Sequence, residues 1–199
     1  MRLPADVVVA TGNPGKLREI ERLLADIGIS VLPQSAFGIA EVEETGENFA
    51  ENALIKARHA AAATGRAAIA DDSGLVVDAL GGRPGVRSAR YAGNDASDEA
   101  NIDKLLAELT DVPDDRRTAA FHCTAVFVMP GEVAPVIASG QWPGRISRQR
   151  RGSGGFGYDP VFFDTELGRS AAELSPAEKN ARSHRGKALR ALVAKLRQQ

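Results

Sequence analysis

The chain has 199 residues, 43% hydrophobic and 26% charged, with 25 Lys and Arg against 26 Asp and Glu. Length and apolar content fit a folded protein of one or two domains with a sizeable core and exclude a disordered tail. The near-cancelling charge argues against a protein that coats nucleic acid non-specifically, while a few local cations would suffice for a small anion. Cys123 is the sole cysteine, so no internal disulfide forms, as suits a reducing cytosol. Its apolar flanks point to a buried, inert thiol. Residues 1–6 lack the apolar region of a signal peptide, and no apolar run approaches the ~20 residues that span a bilayer. The expected protein is soluble and cytoplasmic.

Val7 to Ala10 reads as a buried strand. A helix follows, with Asn13 as N-cap, Pro14 at the first position, apolar residues at helical spacing from Leu17 to Ile27, and Gly28 to end it. Ile29 to Leu32 is a second strand and the acidic stretch Glu41 to Glu47 a loop. Phe49 to Thr64 is an alanine-rich helix stopped by Gly65. Ala67 to Ala70 forms a third strand that ends at a turn made by Asp71-Asp72-Ser73-Gly74, with Leu75 to Leu80 continuing as an edge strand. Gly81 to Gly85 is loop, and Ser97 to Leu109 helix.

Thr118 to Met129 and Val133 to Trp142 form a hairpin around Pro130-Gly131. Gln149 to Gly157 is basic, then glycine-rich and irregular, and Pro160 to Phe163 is a short strand. The last helix starts at a capping box, Ser175 with Glu178, and runs towards Leu196. Gly186 inside it costs about 1 kcal/mol relative to alanine, which places a break near Ser183 to Gly186. Strand and helix alternate before a hairpin, so the fold class is α/β with a mixed sheet. No repeat or long linker separates domains, and residues 1–199 are expected to form one domain.

Four segments carry chemistry. Thr11-Gly12-Asn13-Pro14-Gly15-Lys16 joins a strand to a helix start, which gathers N–H groups, a helix dipole and one ammonium. Its spacing is too short for a P-loop, and a capped helix with a solvated lysine explains it equally. Asp71-Asp72 is costly unless a cation neutralises it; Mg²⁺ is one candidate, a solvated turn the plain alternative. Glu41 to Glu44 could add a ligand, or be a solvated charge run. Gly152 to Pro160 matches G-x-G-x-x-G, but no strand precedes it and Pro160 blocks the helix that a dinucleotide fingerprint needs. It reads as a loop that offers Phe156 for stacking and Asp159 as acceptor, or as a turn packed on the core. Lys179 with Ser183-His184-Arg185 could neutralise a polyphosphate or form an ordinary charged helix face. His59 and His122 read as structural.

Together these stretches resemble the inosine/xanthosine triphosphate pyrophosphatase family. The resemblance is carried by Ala10 to Lys16, Glu43-Glu44-Thr45-Gly46, Glu51 to Ala57, Ala70 to Leu75, Gly81 to Gly85, Ser88 to Tyr91, Gly154 to Pro160, and Lys179 with Ser183 to Gly186, in family order along nearly the whole chain. It implies an elongated mixed β-sheet flanked by helices, two lobes with a central substrate cleft, and a homodimer. It implies Mg²⁺-dependent hydrolysis of ITP, dITP and XTP to the monophosphate and pyrophosphate, with no nucleic-acid or membrane partner. Thr11, Gly12, Asn13, Pro14, Gly15 and Lys16 would hold the triphosphate. Asp72 would accept a proton and bind metal, with Glu44 as second metal ligand. Ser73, Phe156, Gly157, Tyr158, Asp159, Lys179, His184 and Arg185 would contact substrate. Arg182 stands where an apolar residue is expected, which leaves the packing of its helix open. The alternatives are a related pyrophosphatase for modified pyrimidine nucleotides, and an RNA-binding protein that uses the Arg- and Gly-rich loop from Arg145 to Tyr158.

Overall fold

The structure, a computed structural model, describes residues 4–131 and 134–198. Seven strands, β1 Asp6–Val9, β2 Ser30–Pro33, β3 Ala68–Val77, β4 Thr118–Val128, β5 Val136–Ile146, β6 Phe162–Asp164 and β7 Arg169–Ser170, form one sheet in the order β2-β1-β3-β4-β5-β6-β7. β1 runs parallel to β2 and β3, whereas β6 runs antiparallel to β5 and β7, so the sheet is mixed as expected. The helices are α1 Pro14–Ala25, α2 Phe49–Thr64, α3 Asp98–Glu108, α4 Pro176–Arg182 and α5 His184–Leu196.

The chain divides into two compact units. The first comprises Met1–Asp72, Cys123–Gly140 and His184–Gln199; the second comprises Ser73–His122 and Gln141–Ser183. In the first unit, strand residues alternate between two apolar clusters, because successive side chains of a strand point to opposite faces. Val7, Val9, Ile69, Cys123, Ala125 and Phe127 pack with Ile20 and Leu24 of α1 and Leu189 and Leu192 of α5. Val8, Ala10, Ala68, Ala70, Val126 and Val128 pack instead with Ala53, Ala57, Ala60 and Ala61 of α2. The small side chains on α2 let its backbone lie close to the strands.

The second unit has its own core, in which Leu75 and Val77 meet Ile102, Leu105 and Leu109. Phe121, Trp142 and Phe162 form an aromatic group with centroids 4.5 to 6.3 Å apart. The Trp142 indole donates to Asp164 (2.9 Å), which also accepts from Arg182 Nε (2.8 Å). Arg182 pairs with Glu166 as well. This settles the packing of α4: its unexpected arginine is held by carboxylates on and beside β6.

Three expectations are corrected. Asp71-Asp72-Ser73-Gly74 is not a turn; β3 runs through it without interruption. Asp and Ser favour turns by bonding to nearby backbone, but here both carboxylates bond to side chains from distant segments, which removes that competition. Strand conformation then ends at Val77, and Asp78–Leu80 is a short 3-10 turn. The second hairpin strand starts at Val136 and runs on to Ile146; Val133 lies outside the described residues. The break in the last helix falls at Ser183, which caps α4.

Gly140 in β5 has no room for a side chain. A Cβ there would lie 2.6 Å from the Ala188 amide nitrogen and collide with the His184 carbonyl, both backbone atoms of α5. Gly140→Ala should therefore destabilise by the ~1–3 kcal/mol typical of overpacking, and thermal denaturation should show Tm lower by roughly 2–4 °C for each kcal/mol.

Candidate functional site

Consecutive residues of a strand face opposite ways, so Asp71 and Asp72 of β3 do not share a site on one face. Asp71 has the parity of Ile69 and turns to α1 and α5; Asp72 has the parity of Ala70 and turns to α2. Both are buried, at 1% and 5% exposure, and each has its own cations.

Asp71 accepts from Arg185 Nε at 3.1 Å, lies 3.6 Å from Lys16 Nζ, and has the Cys123 thiol at 3.7 Å. Arg185, 2% exposed, also pairs with Glu19 of α1. Burial alone would raise the Asp71 pKa, but Lys16, Arg185 and Lys56 outweigh it and hold the carboxyl well below the usual carboxylate range. Burial would likewise lower the Arg185 pKa, and Asp71 and Glu19 reverse that and raise it. Burial and Asp71 push the Cys123 thiol up, so it is inert, as its surroundings predict. The second Asp71 oxygen, Oδ1, is buried with no hydrogen-bond partner among the described residues.

Asp72 is organised by α2. Asn52 and Lys56 lie four residues apart, hence on one helix face. Asn52 Nδ2 donates to Asp72 Oδ2 at 3.3 Å, and Lys56 Nζ to Asp72 Oδ1 at 3.2 Å. The same ammonium donates to Glu44 Oε1 at 2.7 Å. The Asn52 carbonyl accepts from the Gly46 amide at 2.8 Å, which pins the acidic loop. Thus Glu44 and Asp72, the two expected metal ligands, converge on one positive charge, that of a lysine. Burial raises the Asp72 pKa above its ordinary value; Lys56 and Lys16 oppose the rise, and Glu44 and Asp71 add to it. Burial lowers the Lys56 pKa, but Asp72, Asp71 and Glu44 raise it further, so the lysine stays charged.

The start of α1 completes the first unit's cluster. Asn13 Oδ1 accepts from the Gly15 and Lys16 amides at 2.8 and 3.1 Å, and Thr11 Oγ1 accepts from the Asn13 amide at 3.2 Å. Gly12 and Pro14 are exposed, and the Glu41 carboxylate rests against the bare Cα of Gly12. His184 is buried at the first turn of α5.

In the second unit, Asp159 is the organiser. Its Oδ2 accepts from Lys179 Nζ at 2.6 Å and from the Phe156 amide at 2.9 Å. Lys179 also lies over the Phe156 ring, 4.6 Å from the centroid. The Gly157 amide donates to Asp98 at the start of α3 (2.6 Å), and Tyr158 is a core residue whose hydroxyl donates to the Ser88 carbonyl (2.8 Å). Tyr158 and Asp159 thus shape the loop from inside, and Phe156 and Gly157 are its more accessible part. Ser73, next to Asp72 in β3, is half-buried.

The residues that sequence reasoning left without a role are Asn52, Lys56, Asp71 and Glu19. A signal for the first pair was present: two polar residues at helical spacing interrupt the alanine face of α2. Glu19 stands beside Ile20 on the buried side of α1. Asp71 lay in the motif, but its partner Arg185 is 114 residues away.

The set suits a hard divalent cation that keeps other ligands. Among the described residues no three His, Cys, Asp or Glu side chains cluster to hold a metal by themselves. Mg²⁺ is commonly bound by one or two carboxylates plus substrate phosphates and water, and Asp72 and Glu44 supply that number.

Residues 7–195 match the Ham1 family. The chain is 58% identical to a dITP/XTP pyrophosphatase of Pectobacterium atrosepticum over 192 residues, 96% of this chain and 98% of the relative. It is 56% identical to the protein of that name from Yersinia pseudotuberculosis with the same coverage. A HAM1 protein structure from Coxiella burnetii superposes with a TM-score of 0.89 at 48% identity, covering 98% of this chain and 100% of that one. The Ham1 protein of Staphylococcus aureus gives 0.85 at 40%, with coverages of 96% and 98%.

Asp71→Asn removes the counter-charge of a buried guanidinium and should cost about 3–5 kcal/mol at neutral pH in chemical denaturation. The Asp71 pKa is depressed in the folded state, so its contribution is full above the unfolded pKa of about 3.9 and declines as pH falls towards the folded value. The stability gap between wild type and Asp71→Asn should therefore be constant from pH 7 to about 5 and shrink below about 4.

Proposed function

The chain belongs to the Ham1 family and acts as a dITP/XTP pyrophosphatase, and we propose that the residue clusters described above carry this hydrolysis. Non-canonical purine nucleoside triphosphates are cut between the α- and β-phosphates to the monophosphate and pyrophosphate. The observation that carries the assignment of roles is the convergence of Glu44 and Asp72 on one cation, fixed by Asn52 and Lys56.

Asp72 orients the attacking water and accepts its proton as the α–β bridge breaks. Lys56 keeps Asp72 in its charged form and holds it at a fixed distance from Glu44. Lys16 and the turn Thr11 to Gly15 neutralise the polyphosphate, as a helix start with an adjacent ammonium does for anions. Phe156 and its loop, shaped by Asp159 and Lys179, contact the substrate, as do Ser73 and His184, while Arg185, buried against Asp71 and Glu19, acts through them rather than by touching substrate. Mg²⁺, held by Asp72 and Glu44, would acidify water and offset phosphate charge when bound. Selection rests on a donor directed at the six-keto oxygen of hypoxanthine or xanthine; adenine presents a six-amino donor there and leaves a buried polar group unpaired.

Residues 1–199 are proposed to work as one domain and to form a homodimer. Cytoplasmic location suits an enzyme of the nucleotide pool with no disulfide; no described helix is long and apolar enough to cross a membrane.

Pyrophosphate release from dITP, XTP, ITP, ATP and GTP, with and without Mg²⁺, tests this reading. Release is expected from the first three substrates and only with the metal; equal kcat/KM for ITP and ATP would overturn the selection argument. Asp72→Asn should lower kcat by ~10²-fold or more with a denaturation midpoint close to wild type, since a general base contributes about 10²–10⁴-fold. Lys56→Met should also lower kcat, and near-normal turnover in either variant would contradict the assigned role.

A further inference from the structure

The basic loop after β5 has no part in the reading above, yet it builds a pocket within the second unit. A cavity of about 230 Å³ is lined by Arg145, Arg148, Gln149, Arg151, Phe163 and Asp114, among others. Its construction follows from strand register. Arg145 of β5 stands directly opposite Phe163 of β6, which lays the Arg145 guanidinium over the ring, 4.8 Å from its centroid. Arg151 approaches the same ring at 5.9 Å and is tied down by its amide, which donates to the Pro160 carbonyl at 2.8 Å. Three guanidiniums therefore line one small space with a single carboxylate.

That carboxylate is already committed. Asp114 accepts from Arg148 Nε at 2.6 Å, and the remaining Arg148 nitrogens donate to the Thr110 and Val112 carbonyls. Arg145 and Arg151 form no ion pair among the described residues. Glu173 lies within electrostatic range of Arg151, but its carboxylate accepts from the Ser170 amide. Arg145 Nε is buried with no hydrogen-bond acceptor among the described residues. A buried donor left unmade is costly, and uncompensated like charges add to the cost. Both are relieved by an anion with several acceptor oxygens, for which guanidinium is the preferred partner.

We propose that this pocket binds a small inorganic phosphate anion, pyrophosphate above all. Size decides between free anion and nucleotide. Sites for drug-sized ligands occupy roughly 300–1,000 Å³, and this cavity falls below that range. The Phe163 ring already has two guanidiniums at 4.8 and 5.9 Å from its centroid.

Titration of the intact protein with sodium pyrophosphate, without divalent metal, tests the assignment through the arginine Nε–Hε resonances in NMR. Saturable shifts of the Arg145 and Arg151 signals are expected with pyrophosphate, weaker ones with orthophosphate, and none with sodium chloride at matched ionic strength. The double variant R145Q/R151Q should weaken binding at this site about tenfold or more in calorimetry, with ITP turnover unchanged. Unmoved arginine signals, shifts that chloride reproduces, tighter binding of a nucleoside monophosphate than of pyrophosphate, or unchanged calorimetry in the double variant would each overturn the proposal. None of these binding readouts depends on hydrolysis, so this proposal and the assigned catalytic roles fail separately.

Discussion

The alternation of side chains along β3 is the constraint on which the candidate site depends. Two adjacent carboxylates in water would repel and seek separate solvation. In a strand they are separated by geometry, one to each face, at no cost in backbone conformation. Each face then provides a helix-borne cation: Arg185 from α5 and Lys16 from α1 for Asp71, Lys56 from α2 for Asp72. The two carboxylates end in different states. Asp71, surrounded by cations, is locked as an anion, while burial, with Glu44 and Asp71 adding to it, outweighs Lys56 and Lys16 at Asp72 and raises its pKa. One strand thereby yields a locked anion and a carboxylate of raised pKa from identical side chains.

The buried network around Asp71 has a second consequence. Glu19, Arg185, Asp71 and Lys16 add charge contacts to the apolar packing that joins α1, α5 and β3. Replacing such a network with apolar residues is often neutral for stability. Its value here lies in position: the Lys16 ammonium is held beside Asp71 at the first turn of α1, where the Asn13 cap fixes the Gly15 and Lys16 amides. The same logic operates in the second unit, where Asp159 fixes Lys179 and the Phe156 amide at once. In both places a buried aspartate sets the direction of a lysine.

Much of the fold was legible because its signals are local. The bounds of α2, the Asn13 cap and the break at Ser183 follow from residues within a few positions of each other. The candidate residues were legible as motifs, and the resemblance placed them in one family, which the comparisons bear out. What failed was the turn at Asp71 to Gly74. Local chemistry favours a turn there, and only partners 16 and 114 residues away make a strand the better solution. For the same reason Lys56 and Asn52 were invisible as site residues. Their spacing on the alanine face of α2 marks them as polar intrusions, but what they hold is set by Asp72, which faces them from β3.

A double-mutant cycle on unfolding free energy tests the two-face arrangement most directly. Asp71→Asn is combined with Arg185→Gln in one cycle, and Asp72→Asn with Arg185→Gln in the other. The first pair, in contact, should couple by about 1–3 kcal/mol; the second, on opposite faces, should be additive within about 0.5 kcal/mol. Equal coupling in the two cycles would contradict the account, because it would place both carboxylates within reach of one guanidinium.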